Sequence, residues 1–221
     1  MSVLGNMANV EDPGSFSNRM RSRRFAKFEG LCKPLARPIR VIDIGGTEEF
    51  WRQRGWAGRA DVRITLVNLF QEKATSDNIE SVVGDATRLS YADKSFDVAF
   101  SNSVIEHLFT WENQQAMARE VRRVARAHWV QTPNYWFPME PHFHVPGWQW
   151  MPASLRASMV KRLTVGGRGP YGDSAKAMEA VKEIRLLTGS EMRRLFPESE
   201  IWPERLGGLV KSWVAIGGFG E

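Results

Sequence analysis

Short apolar runs separated by amphipathic segments dominate the central part of the chain. Val41, Ile42 and Ile44 form a run interrupted by Asp43 and closed by Gly45 and Gly46. Such a short β-branched run suits a strand covered on both faces. Thr47 can cap a helix beginning at Glu48, and acidic Glu48 and Glu49 suit the dipole of its first turn. Residues 62–69 read as a second strand from their alternation and β-branched content. Val82 and Val83 fit a third, and residues 95–102 a fourth, running on through 103–108 as a short helix. Over residues 112–126, Met117, Val121, Val124 and Ala125 form an apolar stripe, while Arg119, Glu120, Arg122 and Arg123 face out. Residues 128–132 read as a fifth strand. Strand–helix alternation of this kind predicts an α/β fold with a mostly parallel, doubly wound sheet.

Phe16, Met20, Phe25 and Phe28 interleave with Arg19, Arg21, Arg23, Arg24 and Lys27 at near-helical spacing. Residues 15–31 therefore read as an amphipathic helix covering the ligand edge. Residues 1–14, with Pro13 and Gly14, read as a mobile lead-in. The chain has 221 residues and is 43% hydrophobic, enough for one domain with a sizeable core. The expected organisation is thus a single domain over 1–221, with the helical cover at 15–31. The net charge is +5, so the arginine cluster is either a solvated helix face or a phosphate contact. The single Cys32 rules out an internal disulfide and fits a cytoplasmic location. No apolar run is long enough to span a bilayer, so no membrane partner is expected.

A glycine turn between strand and helix points to a nucleotide-like ligand at the mouth of the sheet. Gly45 and Gly46 allow close approach, because no Cβ intervenes. The third glycine of a dinucleotide fingerprint is missing, and Glu48 and Glu49 would repel a pyrophosphate. Asp43 would favour an ammonium or a sulfonium, and S-adenosylmethionine carries both. The plainer alternative is that Asp43 merely caps a turn. Asn68 ends the second strand, where ribose hydroxyls are bound, and can bond them without charge assistance. Asp85 follows the third strand, where its carboxylate can accept from an adenine amino group; an ordinary Gly-Asp turn is the alternative.

These segments resemble the class I S-adenosylmethionine-dependent methyltransferases, in the type 11 group of small-molecule O-methyltransferase-like proteins. Three stretches carry the resemblance in the right order. They are Val41-Ile42-Asp43-Ile44-Gly45-Gly46, then Gly84-Asp85-Ala86, then Ser95 through His107. It covers residues 36–133 well and 186–216 more loosely. The resemblance implies a Rossmann-like, seven-stranded sheet whose last two strands are an antiparallel pair, with residues 200–202 and 210–215 suiting them. It implies that Asp43, Gly45 and Gly46 lie along the methionine end of the cofactor and that Asn68 takes the ribose. Leu69 would pack on adenine, Asp85 and Ala86 would read its edge, Ser101 would sit near the methionine moiety, and His107 would line the pocket. Asn68 departs from the usual acid. Thr132-Pro133-Asn134-Tyr135 is not the amino-group signature of the family, because that signature follows the fourth strand.

Residues 133–185 are too long for a simple loop and read as an acceptor-lid insertion. Their proline-rich start holds six aromatics, among them Trp136, Trp148 and Trp150. These line an acceptor or pack the insertion against the sheet. His142 and His144, two apart, would share a face of an extended segment. Either could be the general base for a hydroxyl acceptor, with His144 preferred. With Glu140 they could instead hold a divalent metal such as Mg. Surface or hydrogen-bonded histidines are the plain alternative. The expected function is methyl transfer to a hydroxyl of a small molecule, a sugar or other ring-bearing natural product. RNA or protein methylation through the basic helix is the runner-up. A non-catalytic partner is a third reading, against which the retained glycine turn and Asp85 weigh. Nucleic acid is not an expected partner; a homodimer is left open.

Overall fold

The computed structural model describes residues 16–220; the expectation for residues 1–14 lies outside them. Its helices and strands run in the order α1 (Phe16–Cys32), β1 (Ile39–Ile44), α2 (Glu48–Gln53), β2 (Val62–Asn68), β3 (Ile79–Val83), β4 (Phe96–Asn102), α3 (Trp111–Val124), β5 (Ala125–Pro133), α4 (Ala153–Arg162), α5 (Ser174–Lys182), α6 (Gly189–Leu195), β6 (Glu200–Leu206) and β7 (Leu209–Gly217). Two 3-10 turns lie at Ile105–His107 and Trp148–Trp150. The seven strands form one sheet in the order β3-β2-β1-β4-β5-β7-β6. Strands β1 to β5 are parallel; β7 runs antiparallel to both β5 and β6. The antiparallel C-terminal pair is therefore present.

Strand periodicity sorts the core into two faces. Ile42 and Ile44 point to one, with Val67, Ala99 and Val130, under Met117, Val121 and Val124 of α3, Met192 and Leu195 of α6, and Phe196 just after it. Val41, Ile64, Leu66, Val98, Phe100 and Trp129 belong to the other, under Phe25, Phe28 and Cys32 of α1 and Trp51 of α2. Asp43 shares the parity of Val41, so its side chain goes to the α1–α2 face.

Element ends differ from the sequence reading by a few residues. Helix α3 begins at Trp111, where the Thr110 hydroxyl accepts from Asn113 N–H at 3.2 Å. It stops at Val124 because small Ala125 and Ala127 pair with Phe96 and Val98 of β4, starting β5 three residues early. Ile79 pairs with Ile64, which extends β3 toward its N-terminus. Residues 134–188 form the insertion between β5 and α6. It carries α4 and α5 over its own cluster, which includes Phe143, Trp148, Ala157, Val160, Ala177 and Val181. Its two ends lie side by side, Asn134 bridging Leu187. Among the described residues, no helix is long and apolar enough to cross a membrane.

Candidate active site

The glycine turn sits at the C-terminal end of β1, the central strand. Gly45 has a φ of +78°, and its N–H donates to Val67 O at 2.9 Å. Val104 occupies the space a Cβ on Gly45 would need, and the Asp43 carboxylate occupies that of Gly46. Asp43 is 1% exposed and lies beneath the turn. Its Oδ2 accepts from Trp51 Nε1 at 2.7 Å, while Oδ1 has no partner among the described residues. Burial pushes its pKa up to about 7. Asp43 thus supports the turn from below rather than facing outward. Glu48 does not face a ligand either. It accepts from Thr75 and Ser76 and is held at about 2, chiefly by the Ser76 hydroxyl.

Asn68 donates one amide hydrogen to Gly46 O at 2.9 Å, which leaves its Oδ1 for a hydroxyl. Asp85 is exposed; its Oδ1 accepts from Thr87 N–H at 2.8 Å and Thr87 Oγ1 at 2.7 Å, leaving Oδ2 open. Ala86 beside it is half-buried. Leu69 is 68% and Phe70 80% exposed beside Asn68, an apolar surface on which a flat ring can stack. Phe70 was not singled out from sequence. Ser101 is fully buried and donates to Ile44 O at 3.1 Å. It fastens β4 to β1 and supports the turn.

A second constellation lies where β4 and β5 end. The His107 and His142 Nε2 atoms face each other at 3.1 Å. His142 Nδ1 meets Glu140 Oε1 at 2.6 Å, and His107 Nδ1 meets Glu183 Oε1 at 3.1 Å. All four ring nitrogens are thus engaged. Glu140 is buried and also accepts from His142 N–H and Phe143 N–H, which fixes the turn that carries His142. Glu106 is buried beside them. Its Oε2 accepts from Thr132 Oγ1 at 2.9 Å, and its Oε1 has no partner among the described residues. Burial raises Glu106 to about 7 and lowers the pKa of His107, where nearby His142 acts in the same direction.

His144 takes no part in this cluster. Its φ of +53° turns the backbone, its N–H donates to Glu140 O at 2.9 Å, and its side chain is exposed. The extended segment that would have put both histidines on one face does not exist; residues 141–143 form a tight turn. Glu106 and Glu183 were not expected in the site. His107 and His142 were each named from sequence, but nothing in their 35-residue separation signals that they meet.

A cavity of about 570 Å³ lies between the insertion and α6, lined by Tyr135, Glu140, Phe143, Trp148, Arg156 and Thr188 among others. Phe143 and Trp148 stack with centroids 4.4 Å apart. Trp148 is buried in the insertion's core, whereas Trp136 and Trp150 are exposed. Glu140 belongs both to the cavity wall and to the histidine cluster.

A family model described as "Methyltransferase domain" matches residues 56–128. Two uncharacterized proteins of Mycobacterium tuberculosis, from strains CDC 1551 and H37Rv, are 38% identical over 55 residues. That is 25% of this chain and 19% of theirs. A S-adenosylmethionine-dependent methyltransferase from Aquifex aeolicus superposes with a TM-score of 0.51 at 12% identity, covering 98% of this chain and 99% of that one. A chain from the complex between the Haloferax volcanii Trm112 methyltransferase activator and its methyltransferase also gives 0.51 at 12% identity, covering 91% and 94%. At such identities the structures speak for the fold. The sheet order and these superpositions give this chain the fold of the class I S-adenosylmethionine-dependent methyltransferases, and the matched segment is similar to their methyltransferase domain.

Proposed function

We propose that the protein transfers the methyl group of S-adenosylmethionine to a hydroxyl of a small polar molecule, a sugar or another ring-bearing compound. One observation carries the acceptor side of this reading: the aromatic-lined cavity of the insertion shares Glu140 with the histidine cluster at the ends of β4 and β5. Half-buried Tyr135 on the cavity wall suits the C–H face of a ring, and half-buried Arg156 suits its oxygens.

The residues at the mouth of β1 to β3 fit the cofactor. Asn68 Oδ1 is open for ribose, Asp85 Oδ2 for the adenine amino group, and Leu69 and Phe70 for the ring face. Bound there, S-adenosylmethionine supplies a sulfonium methyl ready for in-line displacement. The chain's task is alignment and exclusion of water, for which the insertion supplies a lid. The acceptor's proton is handled at the His107–His142 pair; of the two histidines offered by the insertion, His142 is favoured over exposed His144. Buried Cys32, its thiol pushed up to about 12 by burial, suits a reducing cytoplasm.

Calorimetry with S-adenosylhomocysteine tests the cofactor half. Micromolar binding is expected, and Asn68→Leu should weaken it by about 1–3 kcal/mol through the lost hydrogen bonds. No binding by the wild type would sink the assignment, and an unchanged Asn68→Leu would move the ribose contact elsewhere. Radiolabelled methyl transfer to hydroxylated sugars and phenols tests the acceptor half; labelled protein or RNA, with no labelled small molecule, would overturn it.

A further inference from the structure

We propose that Glu106, His107 and His142 bind one divalent transition-metal ion, held where β4 and β5 end against the insertion. The argument begins with protons. Each imidazole presents Nδ1 to a carboxylate, Glu140 for His142 and Glu183 for His107. A carboxylate only accepts, so both Nδ1 atoms carry hydrogen. Both Nε2 atoms then present lone pairs to each other at 3.1 Å. That arrangement needs a positive centre between them, either an added proton or a metal ion.

Three further features favour the metal. Carboxylate–histidine pairs of this kind orient and activate metal-bound imidazoles, and here both ligands have one. At a metal–nitrogen distance of roughly 2.05 Å, nitrogens 3.1 Å apart subtend an angle of about 100°, between octahedral and tetrahedral values. The Glu106 carboxylate supplies the third ligand. The ligand atoms of the three residues lie within 4.8 Å of one another, against the roughly 4.2 Å that two ligands of one ion can span. A small side-chain rotation closes that gap. Glu106 Oε1 is buried without a partner among the described residues, and Oε2 is oriented by the Thr132 hydroxyl.

Two imidazoles and one carboxylate suit zinc, iron, cobalt or manganese better than magnesium, which prefers oxygen. The set differs from Glu140, His142 and His144, the trio suggested by sequence. Glu140 is occupied in orienting His142, and His144 lies outside the cluster. Three protein ligands leave an open position, as in catalytic rather than structural sites. An acceptor hydroxyl bound there would lose its proton more readily. The metal site goes beyond the proposed methyl transfer, and its test reads the metal alone.

The test is a titration of chelator-treated protein with Co(II), followed by visible absorption and calorimetry. One saturable equivalent, displaced by Zn(II), is the expected result. His142→Ala and His107→Ala should each remove ligand-field absorption and weaken binding by more than 100-fold. Glu140→Gln and Glu183→Gln, which touch only the orienting carboxylates, should weaken it by roughly 10–100-fold. Near-ultraviolet circular dichroism checks that each variant is folded; if the histidine variants are not, the two glutamate variants carry the test. No saturable binding by the wild type overturns the proposal and leaves a shared proton between the rings. So does equal affinity in every folded variant.

Discussion

Asp43 stands out in the sequence by its place before two glycines, and its surroundings in the structure differ from those expected there. From sequence it faced the cofactor's cationic end; in the structure it lies under the turn, bonded to Trp51. Strand parity alone would have placed it on the α1–α2 face, but no sequence rule names Trp51 as its partner. Its pKa, about 7 folded against 3.8 ordinarily, has a consequence for stability. A raised carboxylate contributes fully below pH 4 and loses that contribution as pH rises through 7. Glu106 acts in the same direction. His128 acts oppositely: burial lowers it to about 4, so its contribution is present above 6.5 and lost as pH falls through 4. The difference between variant and wild type isolates Asp43. Asp43→Asn keeps an acceptor for Trp51 and removes the charge. It should stabilise the ligand-free protein by about 2–4 kcal/mol at pH 8, with the gap closing near pH 4. Denaturant titrations at the two pH values measure it; a gap independent of pH would show that Asp43 does not titrate in this range.

The histidines teach the same lesson. A spacing of two puts His142 and His144 on one face only if the backbone is extended, and the turn at residues 141–143 breaks that condition. Glu140 was legible as a neighbour of these histidines, but not as the buried acceptor that builds their turn.

At the scale of elements, part of the basic stretch of α1 is absorbed into the structure. Arg24 is buried, donating to Glu204 Oε2 on β6 at 2.9 Å and to Asn102 Oδ1 on β4 at 2.8 Å. Lys27 lies 5.0 Å from the Trp202 ring centroid. The run that reads as a solvated face or a phosphate contact is in part an internal clasp, because the matching Glu204 lies 180 residues away. Burying one ion of a pair without its partner is costly. Arg24→Leu should therefore destabilise by about 3–5 kcal/mol, and Arg24→Leu with Glu204→Leu should recover most of that. Urea unfolding of the single and double variants decides it; a double variant no better than the single would show that the clasp is not a coupled pair. The five parallel strands and α3 were legible because each carries a full local period. Helices α4 and α5 were not, since their apolar residues close a satellite core only once the insertion has folded on itself.

For the whole molecule, the mostly parallel seven-stranded sheet with its antiparallel last pair followed from strand–helix alternation and the resemblance, whereas the cavity did not, because residues far apart in sequence line it. The net charge of +5 invites a nucleic-acid reading. Arg24, buried in its pair with Glu204, is withdrawn from any such contact, though the net charge is unchanged by the pairing. Fluorescence anisotropy with short RNA should show affinity no tighter than the non-specific range of roughly 10⁻⁴–10⁻⁶ M at physiological salt. Nanomolar, sequence-dependent binding would return RNA to the front.

The adjoining ends of the insertion have a consequence for lineage. Asn134 bridges Leu187, so the chain leaves β5 and comes back beside its exit point before entering α6. Between them, Phe143, Trp148 and helices α4 and α5 pack about a separate core, while the proposed donor contacts at Asn68 and Asp85 belong to β2 and the turn after β3. The segment is therefore a replaceable cassette. A duplicated copy of the protein can acquire a new appetite by rewriting residues 134–188 around Glu140, His142 and Glu183, while the proposed donor contacts stay as they are.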